Sequence, residues 1–154
     1  MCLCIGTGAG SAFLEEGRLL KQAPGIPANG WIYPFPFRGT AIDDWISVRG
    51  LARLAGEAGF PPGTTGKDLS GMAAGGNRQA LDVWNAFGAC IAEALGPFMD
   101  SFRPGKLVLG GQISKAERYF GTEIRKQYPD LEILPVSDTT ETILAGLLAS
   151  GREG

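Results

Sequence analysis

The chain has 154 residues, of which 44% are hydrophobic, a length and composition typical of one globular domain with a substantial core. Its 14 basic and 16 acidic residues give a net charge of −2, which argues against a nucleic-acid-binding surface. No apolar stretch is long enough to cross a bilayer, so we expect no membrane segment, and three cysteines do not make a disulfide framework, which favours a reduced, cytoplasmic setting.

The chain opens with an apolar run, residues 1–5, that stops at a glycine-rich turn. Two short runs follow, at 11–14 and 18–20, and the pattern predicts a hairpin of strands. Glycines let backbone N–H groups approach an anion closely, and a threonine hydroxyl adds a donor. Glycine is also common in hairpin turns for steric reasons alone, so the turn by itself leaves both interpretations open. The candidate phosphate contacts in it are Gly6, Thr7, Gly8 and Gly10.

Two of the three cysteines, Cys2 and Cys4, are spaced so that both point to one face of the first strand. With no histidine in the chain and no further clustered thiol, a zinc site is not expected there. We predict that both are small core residues.

A loop rich in proline, glycine and aromatic residues spans 22–39. It is too apolar to be freely disordered. Two interpretations remain open: residues 31–37 form an exposed apolar patch that pairs subunits, or they fold over the chain's own core.

Helical periodicity dominates the middle of the chain. A helix is predicted after Asp43 and Asp44, through residue 55, and a short one begins near Lys67. The segment 65–68 superficially suggests a phosphate loop, but the required first glycine and metal-binding hydroxyl are missing. Apolar steps of three and four predict a long core-facing helix over 77–102, kinked or divided at Pro97.

A second glycine turn follows the strand predicted at 106–109. Gly110, Gly111 and Gln112 lie between that strand and a helix predicted over 113–128, a geometry that brings a nucleotide against a helix N-terminus. A strand at 131–136 and a last helix at 140–149 complete the pattern. The order predicts an α/β lobe with a mixed sheet, in which antiparallel hairpin strands join parallel strands and helices cover the faces.

Four stretches carry a resemblance to the ROK family (repressor, open reading frame, kinase) within the ribonuclease H-like fold of the actin-like ATPase superfamily. They are the first turn with its hairpin, the segment 43–51, the segment 75–80 before the long helix, and the segment 107–116, which is the most specific. The resemblance spans nearly the whole chain and implies one domain, residues 1–154, equivalent to the C-terminal, nucleotide-binding lobe of a ROK sugar kinase. Its N-terminal lobe, which carries the catalytic aspartate, is absent from these residues.

The chain also departs from the family pattern. Where the resemblance implies an acid and a histidine that hold the sugar, this sequence has Gly30 and Tyr33. Where it implies a cysteine zinc knuckle, residues 35–41 contain no cysteine, so zinc is not expected. The second sugar-binding acid, a glutamate in the family, corresponds to Asp43, one methylene shorter, although an acid there is equally suited to stabilise a helix N-terminus.

The resemblance therefore implies ATP and magnesium as cofactors, nucleotide and a hexose-like sugar as ligands, and a homodimer as the assembly. Because phosphoryl transfer needs a base and closure of two lobes, we expect the isolated chain to be inactive. The alternative is a non-catalytic relative: the effector-sensing and dimerising domain of a ROK-type transcriptional repressor, or a degenerate scaffold. No helix–turn–helix for DNA binding is predicted in these residues.

Overall fold

A five-stranded mixed sheet forms the centre of the computed structural model, which describes residues 1–136. Its strands are β1 (Cys2–Ile5), β2 (Ala9–Glu15), β3 (Arg18–Leu20), β6 (Lys106–Gly110) and β7 (Glu132–Pro135). They stand in the order β3-β2-β1-β6-β7. The first three in this order are antiparallel neighbours, whereas β1, β6 and β7 run parallel, so the predicted mixed sheet is confirmed.

The other elements lie between β3 and β7. A two-stranded hairpin, β4 (Pro36–Phe37) and β5 (Thr40–Ala41), interrupts the long loop, and 3₁₀ turns occupy Ala28–Gly30 and Gln112–Ala116. The helices are α1 (Ile42–Trp45), α2 (Val48–Glu57), α3 (Gly66–Ala74), α4 (Arg78–Ser101) and α5 (Glu117–Gln127). The helix predicted at 140–149 lies outside the described residues.

One face of the sheet is buried and the other is partly covered. Strand alternation places Leu3 and Leu109 side by side on the buried face, both fully inaccessible. Cys2 and Cys4 point the other way and are half-buried, so the prediction that both are core residues was wrong. Periodicity assigns them to one face correctly but carries no information about which face the helices cover.

Helix α4 supplies more of the buried core than any other element within residues 1–136. Its predicted apolar stripe is confirmed: Trp84, Phe87 and Leu95 are fully buried, and the rings of Trp84 and Phe87 pack against Phe120 of α5. The helix continues undivided through Pro97 for 24 residues, about 36 Å. Of the two outcomes predicted for Pro97, division of the helix is wrong, and a kink stays a prediction. No helix within residues 1–136 has the length and apolar character needed to span a bilayer.

Two predicted helices begin differently from expectation. The single helix predicted after Asp43 is two helices, because Ser47 adopts an extended conformation and caps α2, its Oγ accepting a hydrogen bond from the Gly50 N–H at 3.2 Å. The helix predicted from Ile113 starts instead with a 3₁₀ turn. The segment that superficially suggested a phosphate loop is a capping box, in which Thr65 and Asp68 bond each other's backbone N–H.

Candidate functional site

The two glycine turns meet at one edge of the sheet. Parallel strands β1 and β6 end side by side, with Cys4 opposite Gly110. Immediately beyond, Gly111 packs against the end of β1 so closely that a Cβ on it would lie 2.2 Å from the Ile5 carbonyl oxygen. The carboxyl ends of parallel strands are where open α/β sheets bind ligands. The turns predicted to act together are thus adjacent, and their role in binding nucleotide stays a prediction.

The first turn comprises residues 6–8. The Gly6 N–H donates to the Gly8 carbonyl at 3.1 Å, and the Gly6 carbonyl accepts from the Val48 N–H, the first of α2, at 2.8 Å. Thr7 is exposed, and its hydroxyl has no hydrogen-bond partner within residues 1–136. Gly10 lies in β2, two residues past the turn.

Different surroundings explain why positions 6 and 8 of this turn are glycine. A Cβ on Gly8 would lie 2.4 Å from Asp43 Oδ1, so a side chain there would displace the carboxylate that accepts from the Ala9 N–H. A Cβ on Gly6 would meet no atom within 4 Å. Packing therefore does not explain Gly6, and the close approach of a ligand would.

Asp43 joins the turn to α1. Its Oδ1 accepts a hydrogen bond from the Ala9 N–H at 2.8 Å, and its Oδ2 pairs with Arg49 at 3.1 Å. The motif around it is a structural joint between α1 and α2, because a Cβ on Gly50 would lie 1.8 Å from the Trp45 carbonyl oxygen. Asp43 thus has partners in the protein on both oxygens, although a carboxylate retains further lone pairs for a sugar hydroxyl.

The second turn opens a short 3₁₀ turn with Gly111 at φ 87° and ψ 172°, a conformation essentially restricted to glycine. The Ser114 Oγ lies 2.6 Å from the Gly111 carbonyl oxygen and 3.1 Å from that of Val136.

Beside the second turn lies an open pocket, lined by Ser114, Lys115, Glu117, Arg118, Pro135 and Val136. Sequence reasoning assigned no role to Lys115 and Arg118, although two cations after a strand–glycine–helix pattern are a usable signal.

The loop that departs from the family pattern lies next to Asp43. The Asp43 N–H donates to the Tyr33 carbonyl at 3.1 Å, and Ser11 Oγ tethers the loop by donating to the Gly30 carbonyl at 2.6 Å. Gly30 is buried at φ 74° and contributes no side chain, whereas Tyr33 is 42% exposed. The loop thus lies where sugar contacts are expected but without the acid and imidazole.

The hairpin β4–β5 stands where the resemblance implies a zinc knuckle. Its turn, Arg38 and Gly39, has positive φ at both positions, as a tight two-residue hairpin requires. Arg38 fastens the hairpin to α4 through an ion pair with Glu93 and a contact of 3.2 Å to Cys90 Sγ. The hydrogen bond to Glu93 raises the pKa of the Arg38 guanidinium, and burial raises the pKa of the Cys90 thiol against the opposing charge of Arg38. Within residues 1–136, no three His, Cys, Asp or Glu side chains converge as metal ligands would.

Comparison with known proteins defines the class. The sequence model of the ROK family matches residues 1–146, and the chain belongs to the ROK family. A Bacillus subtilis (strain 168) protein provisionally named a fructokinase is 30% identical over 129 residues, which are 77% of this chain and 38% of that protein.

Solved structures of the family share the fold. A provisionally named sugar kinase from Cytophaga hutchinsonii superposes with a TM-score of 0.79 at 23% identity, covering 99% of this chain and 56% of that one. A Streptomyces griseus ROK glucokinase in complex with glucose and AMPPNP gives 0.70 at 20% identity, covering 99% and 60%. A ROK family transcriptional regulator homologous to the E. coli MLC protein gives 0.67 at 20%, covering 99% and 48%. The expected ribonuclease H-like fold is thereby confirmed, and the chain spans about half the length of these relatives.

Proposed function

We propose that residues 1–154 are the C-terminal, nucleotide-binding lobe of an ATP-dependent sugar kinase of the ROK family, with MgATP lying across the two glycine turns. The observation that carries this proposal is the adjacency of the turns, because Gly111 packs on the carbonyl of Ile5, the last residue before Gly6. In the proposed arrangement Gly6, Thr7 and Gly8 face the β- and γ-phosphates, and Gly110, Gly111 and Gln112 lie against the adenosine and α-phosphate. Gly10, two residues past the turn in β2, is a further proposed phosphate contact.

The chain's own groups suit a polyphosphate. The turn offers backbone N–H groups and the Thr7 hydroxyl, and Lys115 and Arg118 add positive charge beside the second turn. Magnesium would enter with the nucleotide, and we assign it no protein ligand within the described residues. Asp43 is the proposed sugar contact, because its carboxylate lies beside the first turn.

Catalysis by these residues alone is not expected. Residues 1–154 do not contain the catalytic aspartate that the resemblance implies, and no other base is assigned to the substrate hydroxyl. We expect purified chain to bind nucleotide without forming sugar phosphate from ATP and hexoses. Turnover by the purified chain would contradict this part of the proposal.

Calorimetric titration of the chain with magnesium and AMPPNP tests the nucleotide site. We expect saturable binding of one nucleotide, weakened at least about tenfold by Gly6→Ala, because a methyl group would occupy the open space beside the turn. Gly105→Ala is the matched control, since its Cβ would also meet no atom within 4 Å but lies outside both turns. Equal affinities for the two variants, or no binding by the wild type, would refute the site.

A second candidate function is effector sensing without catalysis, or a scaffold role. It is favoured by one observation: Gly30 and Tyr33 replace the acid and imidazole beside Asp43. This alternative predicts that a sugar effector binds, or that nothing does, while MgAMPPNP does not. Titrating hexoses and nucleotide separately distinguishes the two functions.

We also propose that the chain forms a homodimer. The long loop divides its apolar side chains: Ile32 is fully buried, whereas the aromatic residues Trp31, Tyr33 and Phe35 are 49%, 42% and 38% exposed. The three exposed rings are the proposed contact. Sedimentation equilibrium of the wild type and of Trp31→Ser checks this, and a monomer at every concentration would exclude it.

A further inference from the structure

Arg49, the second residue of α2, connects the first turn to α1 across a large sequence separation. Its guanidinium donates to the Thr7 carbonyl at 3.2 Å, 42 residues away, and to Asp43 Oδ2 at 3.1 Å and Asp44 Oδ1 at 3.4 Å. The side chain is 58% exposed. Ser47 and Gly50 already join α1 to α2, so the bond from Arg49 to the Thr7 carbonyl, which lies outside both helices, is not needed for that joint.

The carbonyl groups of the turn all point toward donors in the protein. The Gly6 carbonyl accepts from the Val48 N–H, the Thr7 carbonyl from Arg49, and the Gly8 carbonyl from the Gly6 N–H. In a trans peptide the carbonyl and the following N–H point in opposite directions. The N–H groups of Thr7 and Gly8 therefore face away from α2, and neither has a hydrogen-bond partner within residues 1–136.

We propose that Arg49 is the positioning residue of the phosphate turn, anchored by Asp43, and that it selects the peptide orientation that turns the N–H groups toward an incoming phosphate. This inference rests on the proposed function. Without the bond from Arg49, the peptide between Thr7 and Gly8 could flip at little conformational cost, because Gly8 has no Cβ. A flipped peptide would present a carbonyl oxygen to the phosphate, and the two negative groups would repel each other. Asp43 fixes the residue that follows the turn by accepting a hydrogen bond from the Ala9 N–H.

The arrangement gives Asp43 two functions. The carboxylate proposed to meet the sugar also fixes the turn proposed to meet the phosphates, through Ala9 directly and through Arg49 indirectly. Any ligand that draws Asp43 away from Arg49 would change the turn. Nucleotide affinity in this lobe is therefore expected to depend on Asp43, a residue that the phosphates do not touch.

The test compares Arg49→Met, Arg49→Lys, Asp43→Asn and the double variant Arg49→Met/Asp43→Asn by titration with magnesium and AMPPNP. We expect Arg49→Met to weaken binding at least about tenfold and Asp43→Asn to weaken it less. The double variant should bind no more weakly than Arg49→Met, because Asp43 acts through Arg49 on the same peptide. Arg49→Lys should not restore affinity, since one ammonium cannot reach the Thr7 carbonyl and both carboxylates. Arg53→Met is the control, because Arg53 stacks on Trp45 at 4.4 Å further along α2.

A readout without nucleotide keeps the two proposals separable. In the free chain, Arg49→Met should shift the NMR signals of the Thr7 carbonyl carbon and the Gly8 amide, and speed hydrogen exchange at Ala9. If the wild type binds no nucleotide, the proposed function fails while these signals still decide the role of Arg49. Unchanged signals in Arg49→Met, or full affinity in Arg49→Lys, would overturn the inference; the latter would mark a direct charge contact with phosphate.

Discussion

The carbonyl oxygen of Ile5, at the end of β1, lies so close to Gly111, in the turn after β6, that a Cβ on residue 111 would be 2.2 Å from it. The contact leaves no room for any side chain at position 111. Glycine at position 111 is therefore required by packing against Ile5, whether or not a ligand also requires it. The two requirements predict different effects of substituting Gly111.

Gly111→Ala is expected to destabilise the protein by more than about 2 kcal/mol, because alanine strains a backbone at φ 87° and its Cβ would lie 2.2 Å from the Ile5 oxygen. Urea denaturation measures the loss, with Gly105→Ala, expected within about 1 kcal/mol of wild type, as control. A stable Gly111→Ala protein that had lost only nucleotide binding would show that the ligand, and not the strand contact, requires glycine there.

The adjacency of the turns was accessible from sequence because a strand followed by glycine and then a helix has one common geometry, and parallel strands end at one edge. The bond between Asp43 and the Ala9 N–H was not accessible, since it joins residues 34 positions apart. The orientation of the turn's carbonyls is likewise a property of the folded joint. The sequence pattern thus predicted which residues lie together at the sheet edge where β1 and β6 end. The hydrogen bonds that each of them makes depend on tertiary contacts, which the pattern does not contain.

Ser47→Ala is expected to cost about 1 kcal/mol of unfolding free energy, because it removes the side chain that caps α2 from a fully buried position. Ser70→Ala, at a half-buried position inside α3, should be neutral or slightly stabilising, since alanine is the better helix former. Chemical denaturation of both variants gives the comparison. An equal effect at both positions would contradict the capping role.

Tyr128 links the end of α5 to α4 by donating a hydrogen bond from its phenol to the Ala92 carbonyl at 2.6 Å. Burial raises the pKa of this phenol above its ordinary value. A group whose pKa is raised in the folded state contributes stability that is fully present below the unfolded pKa, near 10, and is lost as pH rises through the folded value.

Tyr128→Phe is therefore expected to cost about 1 kcal/mol at pH 7 and to lose less stability than wild type between pH 9 and pH 11. Urea midpoints at several pH values measure both effects. Tyr119→Phe is the control, because the structure gives its hydroxyl no bond within residues 1–136. Parallel pH profiles for wild type and Tyr128→Phe would show that this phenol does not carry the alkaline loss.

Arg38→Met should destabilise the hairpin β4–β5. The guanidinium lies 5.3 Å from the Phe37 ring centroid and 5.2 Å from that of Trp45, and it also pairs with Glu93. Because the ion pair is partly exposed, most of an expected loss of about 1–2 kcal/mol comes from the ring contacts. Arg78→Met, which breaks only an exposed pair with Asp82, should change stability by less than about 0.5 kcal/mol.

A chelator is expected to leave the unfolding curve of the protein unchanged. The reason is that Arg38, Glu93 and two aromatic rings hold the hairpin in the place where a metal would otherwise be required, and residues 35–41 offer no thiolate to a zinc ion. Thermal unfolding with and without 1,10-phenanthroline checks this, together with metal analysis of the purified chain. Stoichiometric zinc in the purified chain, with a lower melting temperature in chelator, would mean that ligands outside the hairpin hold a metal. Cys90 would be the first candidate ligand, because its Sγ already contacts Arg38 of the hairpin.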